Sequence, residues 1–217
     1  MILGDIAVLH TADDWLAIVK PAGASMHNED GEGFIAALSQ HWQQPLWPLH
    51  RLDKVTSGIL LLGTSADAAR RFGHLFEQHQ IEKYYLAQSQ HKPKKKQGWI
   101  KGDMVKARNG SWKLSRSLDN PAVTRFISHY DAEQQRRLFL LQPHTGRTHQ
   151  LRVAMKSLAA PIDGDQRYGG DVAERTFLHA MAMRFVDRGE EVCLFNKPEG
   201  NHWGHLPPAW QAPWQCF

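Results

Sequence analysis

The segment Leu49-His50-Arg51-Leu52-Asp53-Lys54-Val55-Thr56-Ser57-Gly58 crowds charged and hydroxyl side chains directly ahead of an apolar run, residues 59–62. A loop that enters a buried element is held rigidly at one end, which suits a catalytic carboxylate. Asp53 can act there as a nucleophile or base without a metal. The competing reading is a surface ion pair with Arg51 or Lys54. A second donor-rich segment, residues 142–152, carries His144, Thr145, Arg147, Thr148, His149, Gln150 and Arg152 into the start of a helix. A helix N-terminus favours an anion, so a phosphate can dock there. If Arg152 faces Asp53, its guanidinium keeps the carboxylate ionised and fixes its direction. Otherwise the run is a solvated helix face.

Two further segments bear on binding. In Lys83-Tyr84-Tyr85-Leu86-Ala87, strand alternation sends the two tyrosines to opposite faces. One can stack on a base, or both are ordinary sheet aromatics. Lys92, Lys94, Lys95 and Lys96 stand close enough to repel one another. A phosphate backbone relieves that repulsion, whereas a solvated loop only tolerates it. Metal chemistry has weaker support. Among the 13 histidines, His144/His149 and His202/His205 miss the i, i+4 helical spacing and lack a nearby carboxylate or cysteine to complete a zinc site. No phosphate-binding glycine loop or dinucleotide fingerprint occurs, so no nucleotide cofactor is expected.

The elements that must position these residues follow from pattern. Residues 5–10 and 15–20 are apolar runs on either side of a turn, with Pro21 and Gly23 ending the second. Residues 34–42 suit a short helix, and residues 58–63 a buried strand. Ser65 can cap a helix to about Gln78, whose Phe72, Leu75 and Phe76 follow helical spacing. Strands are expected at 82–90, 110–117, 122–130, 137–142 and 177–186, with 91–98 a loop and 131–135 a hairpin connection. Residues 148–158 form the best helix of the second half. Leu151, Ala154, Met155 and Leu158 make its buried stripe, leaving Thr148, His149, Arg152 and Lys156 on a basic face. The last twenty residues, rich in Pro and Trp, read as irregular surface structure. Many short strands with few helices between them predict an α+β fold, a largely antiparallel mixed central sheet flanked by helices and loops.

Composition limits the rest. The 217 residues form one expected domain, 1–217, large enough to bury roughly 70% of the unfolded surface. No apolar run approaches the ~18 residues that span a bilayer, and Asp5 near the start argues against a signal peptide. Two cysteines, Cys193 and Cys216, build no disulfide framework and fit a cytoplasmic setting. Lys plus Arg is 26 against 22 for Asp plus Glu, a net charge of +4 and a pI of 9.1 that suit a polyanionic partner.

His50-Arg51-Leu52-Asp53-x-x-Thr56-Ser57-Gly58-Ile59 resembles the signature of the RluA/TruC-type pseudouridine synthases. Val19-Lys20-Pro21-Ala22-Gly23 resembles that family's early Lys-Pro-x-Gly turn, and Lys83-x-Tyr85-x-Ala87 its tyrosine motif. Residues 145–153, Thr-Gly-Arg-Thr-His-Gln-Leu-Arg-Val, resemble its arginine motif. Gly164-Asp165-x-x-Tyr168-Gly169 and Leu178-His179-Ala180 resemble its later elements, all in the same order. Ala154 and Asp163 depart from the family pattern, where a histidine and an apolar or small residue are usual.

The resemblance implies a pseudouridine synthase fold, no cofactor, and isomerisation of uridine in a ribosomal or transfer RNA stem-loop. Asp53 matches the catalytic aspartate, attacking uracil C6 or ribose C1′. Arg152 matches the arginine that pairs with it, and Tyr85 the tyrosine that stacks on the base. Leu178 matches an apolar residue beside the base, and Arg51 one that fills the space left by the flipped nucleotide. His50, Arg147 and His149 are further substrate-binding candidates. Lys94, Lys95, Lys96 and Lys156 are candidates for the RNA backbone. No S4-type RNA-binding domain is expected, since the Lys-Pro-x-Gly element begins near residue 20, and single-domain relatives suggest a monomer. A uridine stacked in RNA hides C5 and C1′, so it must be extruded. The alternative function is a non-catalytic RNA-binding or RNA-chaperone module on the same fold.

Overall fold

The computed structural model describes residues 6–26, 33–200 and 202–217. The element order is β1 (Val8–Thr11), β2 (Trp15–Lys20), α1 (Phe34–His41), β3 (Trp47–Pro48), β4 (Ser57–Gly63), α2 (Ala66–Glu77), β5 (Glu82–Ser89), β6 (Gln97–Lys106), β7 (Trp112–Leu114), β8 (Pro121–Asp131), β9 (Arg136–Pro143), α3 (Gln150–Ser157), β10 (Leu178–Asp187) and β11 (Glu190–Phe195). Short 3₁₀ turns stand at Arg108–Gly110, Gln166–Tyr168, Pro208–Gln211 and Pro213–Gln215. The class is α+β, as expected. Asp5, placed by pattern in the first strand, lies outside the described residues.

Backbone contacts divide the chain into two compact units, residues 1–81 with 180–197 and residues 82–179 with 198–217. In the first unit the strand order is β1-β2-β4-β10, with β11 on β10 and β3 on β4. Its printed ladders are antiparallel. The core gathers Trp15, Phe72 and Phe185, whose ring centroids lie 5.4–5.6 Å apart. Ser65 caps α2 as expected, its hydroxyl accepting from the Ala68 N–H at 3.1 Å. Arg71 on α2 holds Asp14 through both terminal nitrogens and Asp187 through Nε, so the helix is tied to two strand ends. The Arg71 hydrogen bond holds the Asp14 carboxyl below its ordinary pKa.

The second unit is the antiparallel run β5-β9-β8-β6-β7, with α3 against β7, β8 and β9. Three sequence expectations change. Residues 97–106 form a ten-residue strand, β6, that the pattern does not announce. Only Ile100 and Gly102 of it are buried, so no hydrophobic alternation marks it. Its register with β8, over seven residue pairs, supplies what propensity does not. The pattern does not announce β11 either. Its signal was Arg188-Gly189, two residues of positive φ joining the pair Asp187 and Glu190, as a tight hairpin requires. The C-terminal segment is not surface structure throughout, because Trp203, Trp210 and Pro213 are buried. The Trp203 ring packs edge-on against Phe177 at 5.0 Å.

One backbone constraint governs the strand that follows Asp53. Gly58 has φ +109°, and a Cβ there would stand 2.3 Å from the Ala180 carbonyl oxygen of β10. Both the left-handed conformation and the close approach demand glycine. Gly58→Ala should cost about 2–4 kcal/mol of stability, measured by urea unfolding. Unchanged stability would mean that β4 and β10 separate freely.

Candidate active site

In the first unit the Asp53 loop is fixed by groups on both sides. Lys20, fully buried, ends β2 and directs its ammonium at the carbonyls of Pro21 and Ala24, both at 2.9 Å, and of Lys54 at 3.4 Å. The Gly23 N–H donates to the same Lys54 carbonyl at 2.7 Å. The Lys-Pro-x-Gly turn therefore clamps the residue after Asp53. Upstream, the Leu49 N–H donates to the Leu61 carbonyl at 3.0 Å. The Leu61 N–H donates back to His50 Nε2 at 3.1 Å, and the His50 ring lies 5.2 Å from Phe76. His50 thus holds the loop on β4. Between these anchors Asp53 is half-buried and Arg51 exposed, with Leu52, Thr56 and Ser57 buried beside them.

In the second unit the donor-rich run leading into α3 is mostly spent on its own architecture. The Gln150 side-chain oxygen, Oε1, accepts from the Thr145 hydroxyl at 2.8 Å and the Arg147 N–H at 3.0 Å. Its amide donates to the Val123 carbonyl and the Thr124 hydroxyl on β8. His149 precedes the helix with φ 58°, a left-handed conformation uncommon for a residue with a side chain. Its Nδ1 lies 2.7 Å from the Tyr168 hydroxyl, which also accepts from the Trp112 N–H at 3.1 Å. Burial raises the Tyr168 pKa, so its hydroxyl stays protonated. Arg147 is exposed, its guanidinium bonded to Asn120.

The basic helix face expected from spacing is not solvated at Arg152. That guanidinium is buried and bidentate to Asp165, Nε to Oδ2 and Nη2 to Oδ1, each at 2.7 Å. Side-chain exposures are 6% and 1%, so both charges are withdrawn from water. Its Cζ lies 4.9 Å from the Tyr168 ring centroid, and Lys156 Nζ lies 5.9 Å from it. Tyr168 thus gathers His149, Arg152 and Lys156. The sequence motif that holds Asp165 and Tyr168 assigns them no role. Their signal was the Gly164-Asp165-x-x-Tyr168-Gly169 spacing. Gly164, at φ +80°, passes too close to the Arg175 carbonyl for any Cβ.

β5 separates its tyrosines as alternation requires. The Tyr84 hydroxyl donates to Glu82 at 2.6 Å and accepts from Gln142 at 3.2 Å, so Tyr84 shares the Gln142 face of the sheet. Tyr85, paired with Leu141, takes the other face. Thr124, two residues from Phe126, which also pairs with Leu141, lies on that face and bonds to α3 through Gln150. Tyr85 and α3 therefore occupy one side of the sheet. Lys83 shares that side by alternation, and burial lowers its pKa. Leu178 opens β10 and is buried. Lys94, Lys95 and Lys96 are exposed on a loop pinned by its backbone, with the Lys94 N–H on the Leu158 carbonyl and the Ser128 hydroxyl on the Lys96 carbonyl. Among the described residues no cluster of three His, Cys, Asp or Glu side chains is placed to hold a metal ion.

Asp163, noted from sequence as unusual, is fully buried. Its Oδ1 accepts from the Gln90 N–H at 3.0 Å while Oδ2 has no partner. Burial raises its pKa above the ordinary value, Arg136 opposing and Asp171 reinforcing that rise. A carboxyl raised on folding contributes stability below the unfolded pKa of about 4, and loses it as pH climbs through the folded value. Asp163→Asn should therefore gain stability relative to the native protein as pH rises above about 4, read by thermal melting across pH. A constant difference would show that Asp163 does not titrate in that window. Asp165→Ala should cost about 3–5 kcal/mol by stranding the Arg152 charge, and Arg152→Met with Asp165→Leu should recover most of it. Urea unfolding of both variants checks this.

Comparison with known proteins identifies the family. A family model described as RNA pseudouridylate synthase matches residues 14–157. An uncharacterized RNA pseudouridine synthase of Haemophilus influenzae is 50% identical over 92% of this chain and 91% of its own. A tRNA pseudouridine synthase C of Haemophilus ducreyi is 34% identical, covering 84% of this chain and 86% of its own. A ribosomal large subunit pseudouridine synthase C of Rickettsia bellii is 33% identical over 86% of this chain and 66% of its own. Among solved structures, human RNA pseudouridylate synthase domain containing 4 superposes with a TM-score of 0.74 at 25% identity, covering 90% of each chain.

Proposed function

The chain belongs to the RNA pseudouridylate synthase family, and we propose that it isomerises selected uridines of ribosomal or transfer RNA through Asp53, Tyr85 and Arg152. The observation that carries the reading is the buried Arg152–Asp165 pair. Two desolvated charges are an expensive way to hold a helix, and apolar residues would do that as well. Their use is to hold the Arg152 guanidinium at a set angle. Asp53 supplies the reacting carboxylate from a loop whose backbone is clamped by Lys20 and His50.

The reaction exchanges one glycosidic bond for another. Asp53 attacks the nucleoside and the N1–C1′ bond breaks. The uracil turns, C5 bonds to C1′, and the bond from Asp53 to the nucleoside breaks, returning the carboxylate. The proton on C5 is then lost and N1 gains one, so atoms balance and no oxidant is consumed. Before this the uridine leaves the RNA stack, at a cost of a few kcal/mol. Tyr85 offsets part of that cost by stacking on the extruded base, with Leu178 as apolar wall. Arg51 fills the vacated place in the RNA. Arg147, His149 and Lys156 meet phosphates beside α3, and Lys94, Lys95 and Lys96 meet the backbone further out. The enzyme works without a cofactor, as a cytoplasmic monomer. Relatives named for transfer RNA and for the large ribosomal subunit set the two substrate classes to try first.

Tritium release from C5-labelled transfer and ribosomal RNA transcripts tests this. The native protein should release tritium from one class. Asp53→Ala should release none while keeping its RNA affinity. Equal release by both proteins would remove Asp53 from the chemistry.

A further inference from the structure

The outer face of the second unit's sheet, opposite Tyr85 and α3, carries a row of rings and cations that no step of the reaction uses. Trp99 on β6 is 47% exposed. It pairs across the ladder with Arg125 on β8, whose guanidinium carbon lies 5.4 Å from the Trp99 ring centroid. The same guanidinium lies 5.2 Å from the Phe217 ring, and Phe217 stacks on Tyr84 at 6.1 Å with 16° between planes. Lys101, two residues along β6, puts its ammonium 5.2 Å from Trp99. His144 closes the row, its ring 5.1 Å from Trp99. Three residues later comes Arg147, at the α3 end of the same loop.

An exposed tryptophan between a lysine and an arginine does not suit an apolar protein partner, which would have to desolvate both cations. It suits a nucleic acid strand. Every base offers a π-face for the indole, and the adjoining phosphates meet the cations. The acidic groups nearby are already engaged. Asp103, next on the same strand face, accepts from the Ser117 hydroxyl and from the N–H groups of Asp119 and Asn120. Those bonds, the Ser117 one foremost, lower its pKa. Glu82 accepts the Tyr84 hydroxyl at the far end of the row. Arg125 touches both the Trp99 and the Phe217 rings, so the indole is held before RNA arrives and little side-chain entropy remains to be lost.

We infer that Trp99, with Lys101, Arg125 and His144, is an accessory RNA platform that stacks an unpaired base outside the reacting uridine. The platform rests on the RNA reading above. Because it lies on the sheet face opposite Tyr85, it holds the body of the substrate and not the target base. Its loss should therefore raise KM and leave kcat unchanged.

Bulk transfer RNA and single-stranded poly(A) are the binding probes, with tritium release from the active transcript as a separate readout. Trp99→Ala and Trp99→Leu should weaken binding about five- to a hundredfold, with melting temperatures near native. Trp99→Phe should restore most of the affinity while removing the largest share of the tryptophan quenching seen on RNA addition. Lys101→Glu should weaken binding and flatten its salt dependence. Native affinity in Trp99→Leu overturns the platform and assigns the patch to a protein partner or to sheet stability. Binding lost in Trp99→Leu, with no tritium released by the native protein, would overturn the reaction and leave the platform standing.

Discussion

Removing a guanidinium and a carboxylate from water together is the constraint on which the second unit turns. Arg152 and Asp165 can be buried only because their geometry is bidentate and short. That geometry needs both α3 and the segment after Gly164 in one place. Tyr168 roofs the guanidinium and its hydroxyl reaches His149 and the Trp112 backbone. Asp163, two residues before Asp165, ties the same segment to β5 through Gln90. Burial of its unpartnered oxygen is a cost carried by that segment, and α3 is oriented from both ends by contacts that do not involve its helical hydrogen bonds.

The first unit solves a similar problem with one buried cation. The Lys20 ammonium has three hydrogens and directs them at three backbone carbonyls. A short turn and the Asp53 loop thereby share one anchor. Gly58 then lets β4 pass close to Ala180, which keeps the strand after Asp53 flat against its neighbour. The backbone of the Asp53 loop is held on either side, by the Lys20 ammonium on the Lys54 carbonyl and by His50 on the Leu61 N–H.

β5 divides labour by parity. Tyr84 is consumed by Glu82, Gln142 and Phe217 on one face. Tyr85, one residue on, stands on the face that carries α3. A one-residue slip in the β5–β9 register would exchange the two. The ladder from Tyr85 and Leu141 to Ser89 and Arg137 prevents it. The same parity puts Trp99 and Arg125 on the Tyr84 side, away from α3.

Local pattern sufficed for much of this protein. Ser65 as a cap, the period of α2, the buried run after Gly58 and the apolar stripe Leu151, Ala154, Met155 and Leu158 are all set by neighbours a few residues away, and each is found as read. Asp53, Tyr85 and Arg152 are singled out in the sequence by motifs that resemble a known set. β6 and β11 were not legible as strands, since long-range pairing rather than propensity makes them. The buried C-terminal tryptophans also find their cover only in the folded unit. The fate of each polar group depended on tertiary structure as well. Spacing put Arg152 on a basic face, but only folding brings Asp165 to it from thirteen residues away. His50, a substrate-binding candidate from the sequence, accepts from the Leu61 N–H, and Lys20 and Gln150 hold backbone carbonyls, contacts that no local pattern announces. Periodicity reports which side of an element is apolar, whereas the partner of a buried charge is decided by segments that meet only when the chain has folded.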